Sequence, residues 1–156
     1  MRRKDREITD PAVIAELLKS VKVMHLGIHD DPYPYVVPMH YGCCTEDGKT
    51  VLYAHGASEG FKYELLAKNA YVMAEIDTGA EEVPGGDIPC AYGARYASVM
   101  IRGRAEILED IPAKIKGLEV LMKAQTGREF TITPEMTEKV NVIRIAAEQI
   151  TAKSRA

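Results

Sequence analysis

The residues best suited to chemistry lie together at His55-Gly56-Ala57-Ser58-Glu59-Gly60-Phe61-Lys62. Strand character ends at His55, small residues follow, and helical character begins. The first amides of a helix have no partners inside it, and the helix dipole is positive at that end. Such a start accepts an anion, most commonly a phosphate. Ser58 offers a hydroxyl and stands where an N-cap is expected. Lys62, on the first turn, adds a full positive charge. Gly56 and Gly60 allow a ligand to approach the main chain closely. The pattern is neither a Walker loop nor a dinucleotide-binding fingerprint. A capped helix with a solvated lysine is the plain alternative.

Two histidines need weighing beside this stretch. His55 is the candidate catalytic residue, because an imidazole can donate, accept or relay a proton near neutral pH. His40 is a second candidate, and a structural hydrogen-bonding role is the alternative for both. His25 and His29 lie on or beside an earlier strand. No two histidines have helical metal-ligand spacing and no C-x-x-C pair occurs, so no metal site is expected. Cys43, Cys44 and Cys90 are odd in number and two are adjacent, which predicts free thiols. Asp30-Asp31 and Glu81-Glu82 read as solvated carboxylates.

The elements that must position these groups follow from periodicity and punctuation. Asp10-Pro11 opens a helix over 11–20, with Val13, Ile14, Leu17 and Leu18 on one face. Strands are expected at 21–28, 34–43 and 50–55, joined by Asp30-Asp31-Pro32 and by the hairpin signal Asp47-Gly48. Pro38 lacks a ladder donor, so its strand must be irregular or at an edge there. A helix capped by Ser58 runs to about Asn69, followed by a strand at 70–77. Residues 78–94, rich in Gly and Pro, read as a long loop. A strand over 95–108 carries a bulge at Gly103. Asp110 caps a third helix, which Gly127 ends, and a last strand covers 140–151. Strands in runs interrupted by helices argue against alternating βαβ units. The expected fold is mainly β: one domain over 1–156, an antiparallel barrel with helices packed outside.

Composition narrows the class. The 156 residues are 46% apolar and 28% charged, with a net charge of -3, as in an ordinary soluble domain. No global basic field invites nucleic acid. No apolar run reaches the roughly 18–20 residues that a membrane span needs. Arg2-Arg3-Lys4 is followed by Asp5 and Glu7 rather than by an apolar stretch, so it does not read as a signal peptide. The expected location is the cytoplasm.

Four blocks together, MRRKDREITD, HLGIHDDPYPYVVPMHYG, LYAHGASEGFK and YASVMIRGRAEIL, resemble the pyridoxamine 5'-phosphate oxidase-like superfamily of FMN-binding split barrels, and within it the nitroimidazole-resistance proteins. The resemblance implies an antiparallel split β-barrel and a homodimer with a flavin at the subunit interface. It implies that backbone groups of Val37, Pro38, Met39, His40 and Tyr41 lie along the isoalloxazine ring. Tyr53, His55, Gly56 and Ala57 would line the ribityl chain. Ser58, Lys62 and Tyr63 would hold the phosphate. Tyr96, Ser98 and Val99 would contribute from the long strand, with the partner subunit as one source, and Lys153 and Arg155 would close over a neighbour's phosphate. Phe61 departs from relatives that carry Arg there, which shifts the charge pairing onto Lys62 or turns the Phe61 ring inward. The implied activity is a flavin-dependent oxidoreductase acting on a small electron-poor, nitroaromatic-type substrate. A non-catalytic flavin-storage protein is the alternative, as is a split barrel binding heme or pyridoxal phosphate.

Overall fold

The computed structural model describes residues 3–155. In chain order its elements are β1 (Glu7–Ile8), α1 (Pro11–Ser20), β2 (Val23–Ile28), β3 (Tyr35–Glu46), β4 (Lys49–Ala57), α2 (Phe61–Lys68), β5 (Tyr71–Asp77), β6 (Glu81–Val83), β7 (Gly93–Leu108), α3 (Ile111–Thr126) and β8 (Val140–Arg155). Asp10 caps α1 by accepting from the Ala12 amide, and Asp110 caps α3 by accepting from Ala113. Gly127 closes α3 in the left-handed conformation. The bulge falls between Arg102 and Gly103. Two expectations need correction. The 78–94 loop contains β6, which pairs with the start of β7. The last strand runs four residues further, to Arg155, because β7 supplies a partner all the way to Tyr96.

Six strands close antiparallel in the order β4-β3-β2-β5-β7-β8 and back to β4, with β1 added to β8 and β6 to β7. The barrel is filled by inward residues such as Met24, Leu26, Ile101, Ile143 and Ile145, all essentially without exposure. A second cluster lies under α3, built from Val51, Tyr53, Leu108, Leu118 and Val142. Among the described residues, no helix is long and apolar enough to cross a membrane.

One irregularity opens this barrel. β3 pairs with β2 over Tyr35–His40 and with β4 only from Tyr41 to Glu46. From His55 onward β4 pairs with β8 alone. The two strands therefore fork. Asp47 and Gly48 both have positive φ, 48° and 76°, the signature of a two-residue type I′ hairpin. In such a hairpin the flanking pair, Glu46 and Lys49, is hydrogen-bonded, so the even-numbered residues of β3 bond toward β4. Beyond the fork, the main-chain groups of Val36, Pro38 and His40 face that same side without a strand to meet. Pro38 thus loses no bond to β2, which explains a proline in the middle of a twelve-residue strand.

Below the fork, one carboxylate ties four elements together. Glu46 accepts from the Tyr53 hydroxyl at 2.6 Å, from Lys116 Nζ at 2.6 Å and from Arg144 Nη2 at 2.8 Å. Burial opposes its charge, but the hydrogen bonds from Lys116, Tyr53 and Arg144 outweigh it and hold the carboxyl at about 2. A depressed carboxyl stabilises the fold above its ordinary titration near 4.5. That contribution is lost as pH falls toward 2. One side of the cluster is open to solvent, which limits the net effect to about 1 kcal/mol. Glu46→Gln is expected to lower stability at pH 7 by about that much. It should also flatten the acid limb of the stability profile between roughly pH 5 and pH 2, measured by urea unfolding. An acid limb unchanged by Glu46→Gln would contradict this assignment.

Candidate functional site

The fork places the sequence-derived candidates along one opening. His40 stands on β3 where the ladder stops, and His55 stands on β4 where the strands part. Burial, and then the charge of His40, pull the His55 imidazole below its ordinary value, so His55 is neutral at neutral pH. At the far end of the opening Phe61 meets Tyr35 edge-on, with centroids 5.4 Å apart. The Phe61 ring is 47% exposed. It bridges α2 to β3 and does not turn inward.

Between these ends lies a polar cradle. Ser58 does not cap α2: Gly60 holds that position with φ of 148° and no side-chain hydrogen bond. The Ser58 carbonyl instead accepts from Asn141 Nδ2 at 2.8 Å, which pins the turn to β8. With glycine at the cap, no side chain occupies the first amides of the helix. Lys62 folds back so that Nζ sits 4.6 Å from the Tyr63 ring centroid. A Cβ placed on Gly56 would lie 2.5 Å from the Tyr63 hydroxyl and 3.1 Å from Lys62 Nζ. Gly56 therefore lets these two donors converge against the backbone of β4. The Tyr63 side chain is buried, 8% exposed, yet its hydroxyl has no hydrogen-bond partner. Burying a hydroxyl without a partner costs roughly 1–3 kcal/mol. A phosphate there would satisfy the Tyr63 hydroxyl and the Lys62 ammonium together. The residues present fit a phosphate-bearing ligand.

Other candidates are placed differently. Met39 and Val99 point into the barrel core, with Val37 packed against it, so these three serve a ligand only through their backbone. Tyr41 is also in the core, its hydroxyl donating to the Leu18 carbonyl at 2.6 Å. Tyr53 faces away from the opening, under α3, and its hydroxyl belongs to Glu46. Its main chain pairs with both Gly42 and Arg144, so the structure withdraws Tyr53 from the site. Strand alternation carried that signal, since Val51 and Tyr53 share a face. Tyr96, Ser98 and Val99 lie near the other end of β8. Positions 142 and 152 of β8 face His55 and Val99 respectively, roughly 33 Å apart along extended chain. Around Tyr96 a cleft of about 490 Å³ is lined by Thr78, Arg95, Ser154 and Arg155. Lys153 lies over the Tyr96 ring.

Cys43, Cys44 and Cys90 are free thiols. His25, Glu75 and Asp77 gather with ligand atoms within 4.8 Å of one another, which a search for helical spacing overlooks because they sit on paired strands. Their contacts are internal: His25 Nδ1 meets Glu75 at 3.2 Å, and Asp77 accepts from the Gly79 amide. Sequence reasoning also missed Gln125 on α3. Its Nε2 donates to the carbonyls of Lys22 and Tyr41, and its Oε1 lies 2.7 Å from His40 Nδ1.

A forked antiparallel barrel with helices packed outside defines the split-barrel class. The family model for pyridoxamine 5'-phosphate oxidase matches residues 10–154, and the chain belongs to that family. A candidate 5-nitroimidazole antibiotic resistance protein from Bacteroides thetaiotaomicron is 31% identical, with a TM-score of 0.81 over 95% of this chain and 86% of its own. A flavocytochrome from Azotobacter vinelandii superposes with a TM-score of 0.79 at 19% identity, covering 100% of this chain and 72% of its own. An FAD- and heme-binding protein from Mycobacterium smegmatis gives 0.79 at 18% identity, over 96% and 73%. These last two share the fold. No curated protein sequence matches the chain.

The unpaired hydroxyl generates a prediction of unusual sign. Tyr63→Phe is expected to leave the ligand-free protein as stable as the native chain, or to stabilise it by about 1 kcal/mol. Chemical denaturation checks this, and a clear loss of stability would show that the hydroxyl has a partner after all.

Proposed function

We propose that the chain is an FMN-binding flavoprotein, a cytoplasmic homodimer that acts as a flavin-dependent oxidoreductase on a small electron-poor acceptor of the nitroaromatic type. The observation that carries the reading is the Tyr63 hydroxyl, buried without a partner beside Lys62 and the bare Gly56 backbone. A terminal phosphomonoester matches that set of donors. Family membership and the likeness to a candidate nitroimidazole-resistance protein support flavin chemistry and the substrate class. FMN is preferred to FAD because the cradle offers donors for one terminal phosphate.

In this reading Lys62, Tyr63 and the first amides of α2 bind the phosphate. The unpaired edge of β3 at Val36, Pro38 and His40 offers main-chain groups to the polar rim of the ring. His55, neutral and half-exposed, borders the site without adding a charge. The bound flavin supplies the electron transfer, and the protein supplies orientation and electrostatics. The separation of Tyr96, Ser98 and Val99 from the cradle supports a dimer in which the partner's long strand completes each site.

The absorption spectrum of purified protein tests the reading first. Oxidised-flavin bands, present on isolation or after adding FMN, are expected, and a protein that ignores FMN would overturn it. Lys62→Ala is expected to weaken FMN binding by roughly tenfold or more while the fold stays intact. Unchanged affinity would move the phosphate elsewhere. NADPH consumption with a nitroimidazole acceptor separates an enzyme from a storage protein. A strict monomer in analytical ultracentrifugation would contradict the shared site.

A further inference from the structure

Gln125 occupies the crotch of the barrel where β2 and β3 begin to pair. Its Nε2 lies 2.9 Å from the Lys22 carbonyl and 2.7 Å from the Tyr41 carbonyl. Carbonyls only accept, so the atom between them must be the amide nitrogen, with both hydrogens used. The orientation of the amide is thereby settled by its partners. The remaining atom, Oε1, only accepts as well. It lies 2.7 Å from His40 Nδ1, so Nδ1 must carry the proton. In neutral His40, Nε2 is then a bare lone pair. Free imidazole side chains favour the opposite tautomer, with the proton on Nε2. His40 is on the exposed side of β3 at the fork, and its charge is felt by His55 on the facing strand.

We infer that Gln125 is a positioning residue that holds His40 as an Nε2 acceptor at the mouth of the fork. Resting on the flavin reading, this assigns His40 the task of accepting a hydrogen bond or a proton from an N–H or O–H of the molecule that lies there. The amide has a second consequence. By taking the Lys22 and Tyr41 carbonyls it ends the β2–β3 ladder one rung beyond Val23 and His40, so the element that sets the tautomer also fixes where His40 stands. Lys22 strengthens the clamp by donating from Nζ to the Ala124 carbonyl. Gln125 on α3 meets His40 directly, and His55 on β4 feels its charge.

The test is the imidazole nitrogen spectrum of the protein, recorded by long-range nitrogen–proton NMR with His40 neutral. The expected pattern is protonated Nδ1 and unprotonated Nε2. Protonated Nε2 in the native chain would overturn the inference without any mutation. In Gln125→Met, which keeps the length and loses the amide, His40 is expected to revert toward the Nε2-protonated form. FMN affinity should then stay within about threefold while NADPH-driven nitroimidazole reduction falls roughly tenfold or more. Native-like turnover with a reverted tautomer would remove His40 Nε2 from the chemistry and overturn the assigned task. A protein with the Nδ1-protonated pattern that binds no flavin would uphold the positioning and reject the flavin reading, so the two failures are distinguishable.

Discussion

The structure depends on the pairing of β3 with β4, which holds for six rungs and then stops. A barrel ordinarily leaves no strand edge unmet, because unpaired main-chain groups are costly when buried and adhesive when exposed. Here the type I′ turn at Asp47-Gly48 sets the phase of the ladder, and the phase decides which residues are left facing the gap. They are Val36, Pro38 and His40. A proline at the middle of these three removes one donor that would otherwise need a partner. The gap is thus a consequence of strand geometry, and the chemistry collects where the geometry leaves groups unused.

The same logic governs the cradle. α2 begins at a glycine that no side chain caps, and Gly56 keeps β4 bare beneath it. Lys62 and Tyr63 lean into that space, and the Tyr63 hydroxyl remains unsatisfied. Elsewhere the protein is thorough about its polar groups. Glu46 is met by Tyr53, Lys116 and Arg144, the Tyr41 hydroxyl reaches Leu18, and the Gln125 amide uses both its hydrogens and its oxygen. That unmet buried donor is the observation on which the proposed phosphate site rests.

Much of the fold was legible because its signals are local. Asp10-Pro11, Asp47-Gly48, Asp110 with Gly127, and Gly103 each mark a boundary or a bulge through their own backbone preferences. β1 and β6 were missed because two or three residues carry no period. Reading Ser58 as the cap of α2 follows the commoner solution, a hydroxyl. The chain instead uses a positive φ that only glycine adopts readily, and it ties Ser58 to Asn141. Lys62 and Gly56 were legible as an anion site. The Gln125 amide was not, since its partners lie 84 to 103 positions away in sequence, and nothing short of the fold brings α3 to the start of β2. The Glu46 cluster is hidden for the same reason.

The central claim is that the cradle at Gly56, Lys62 and Tyr63 recognises a terminal phosphate, and its most direct test is to titrate the protein with FMN and with riboflavin and compare the two affinities. The two share the ring and the ribityl chain and differ in the phosphate alone. The account predicts that FMN binds at least about tenfold more tightly, a difference of roughly 1.4 kcal/mol or more, and that the gap closes when Lys62→Ala and Tyr63→Phe are combined. Equal affinity for riboflavin and FMN in the native protein would contradict it.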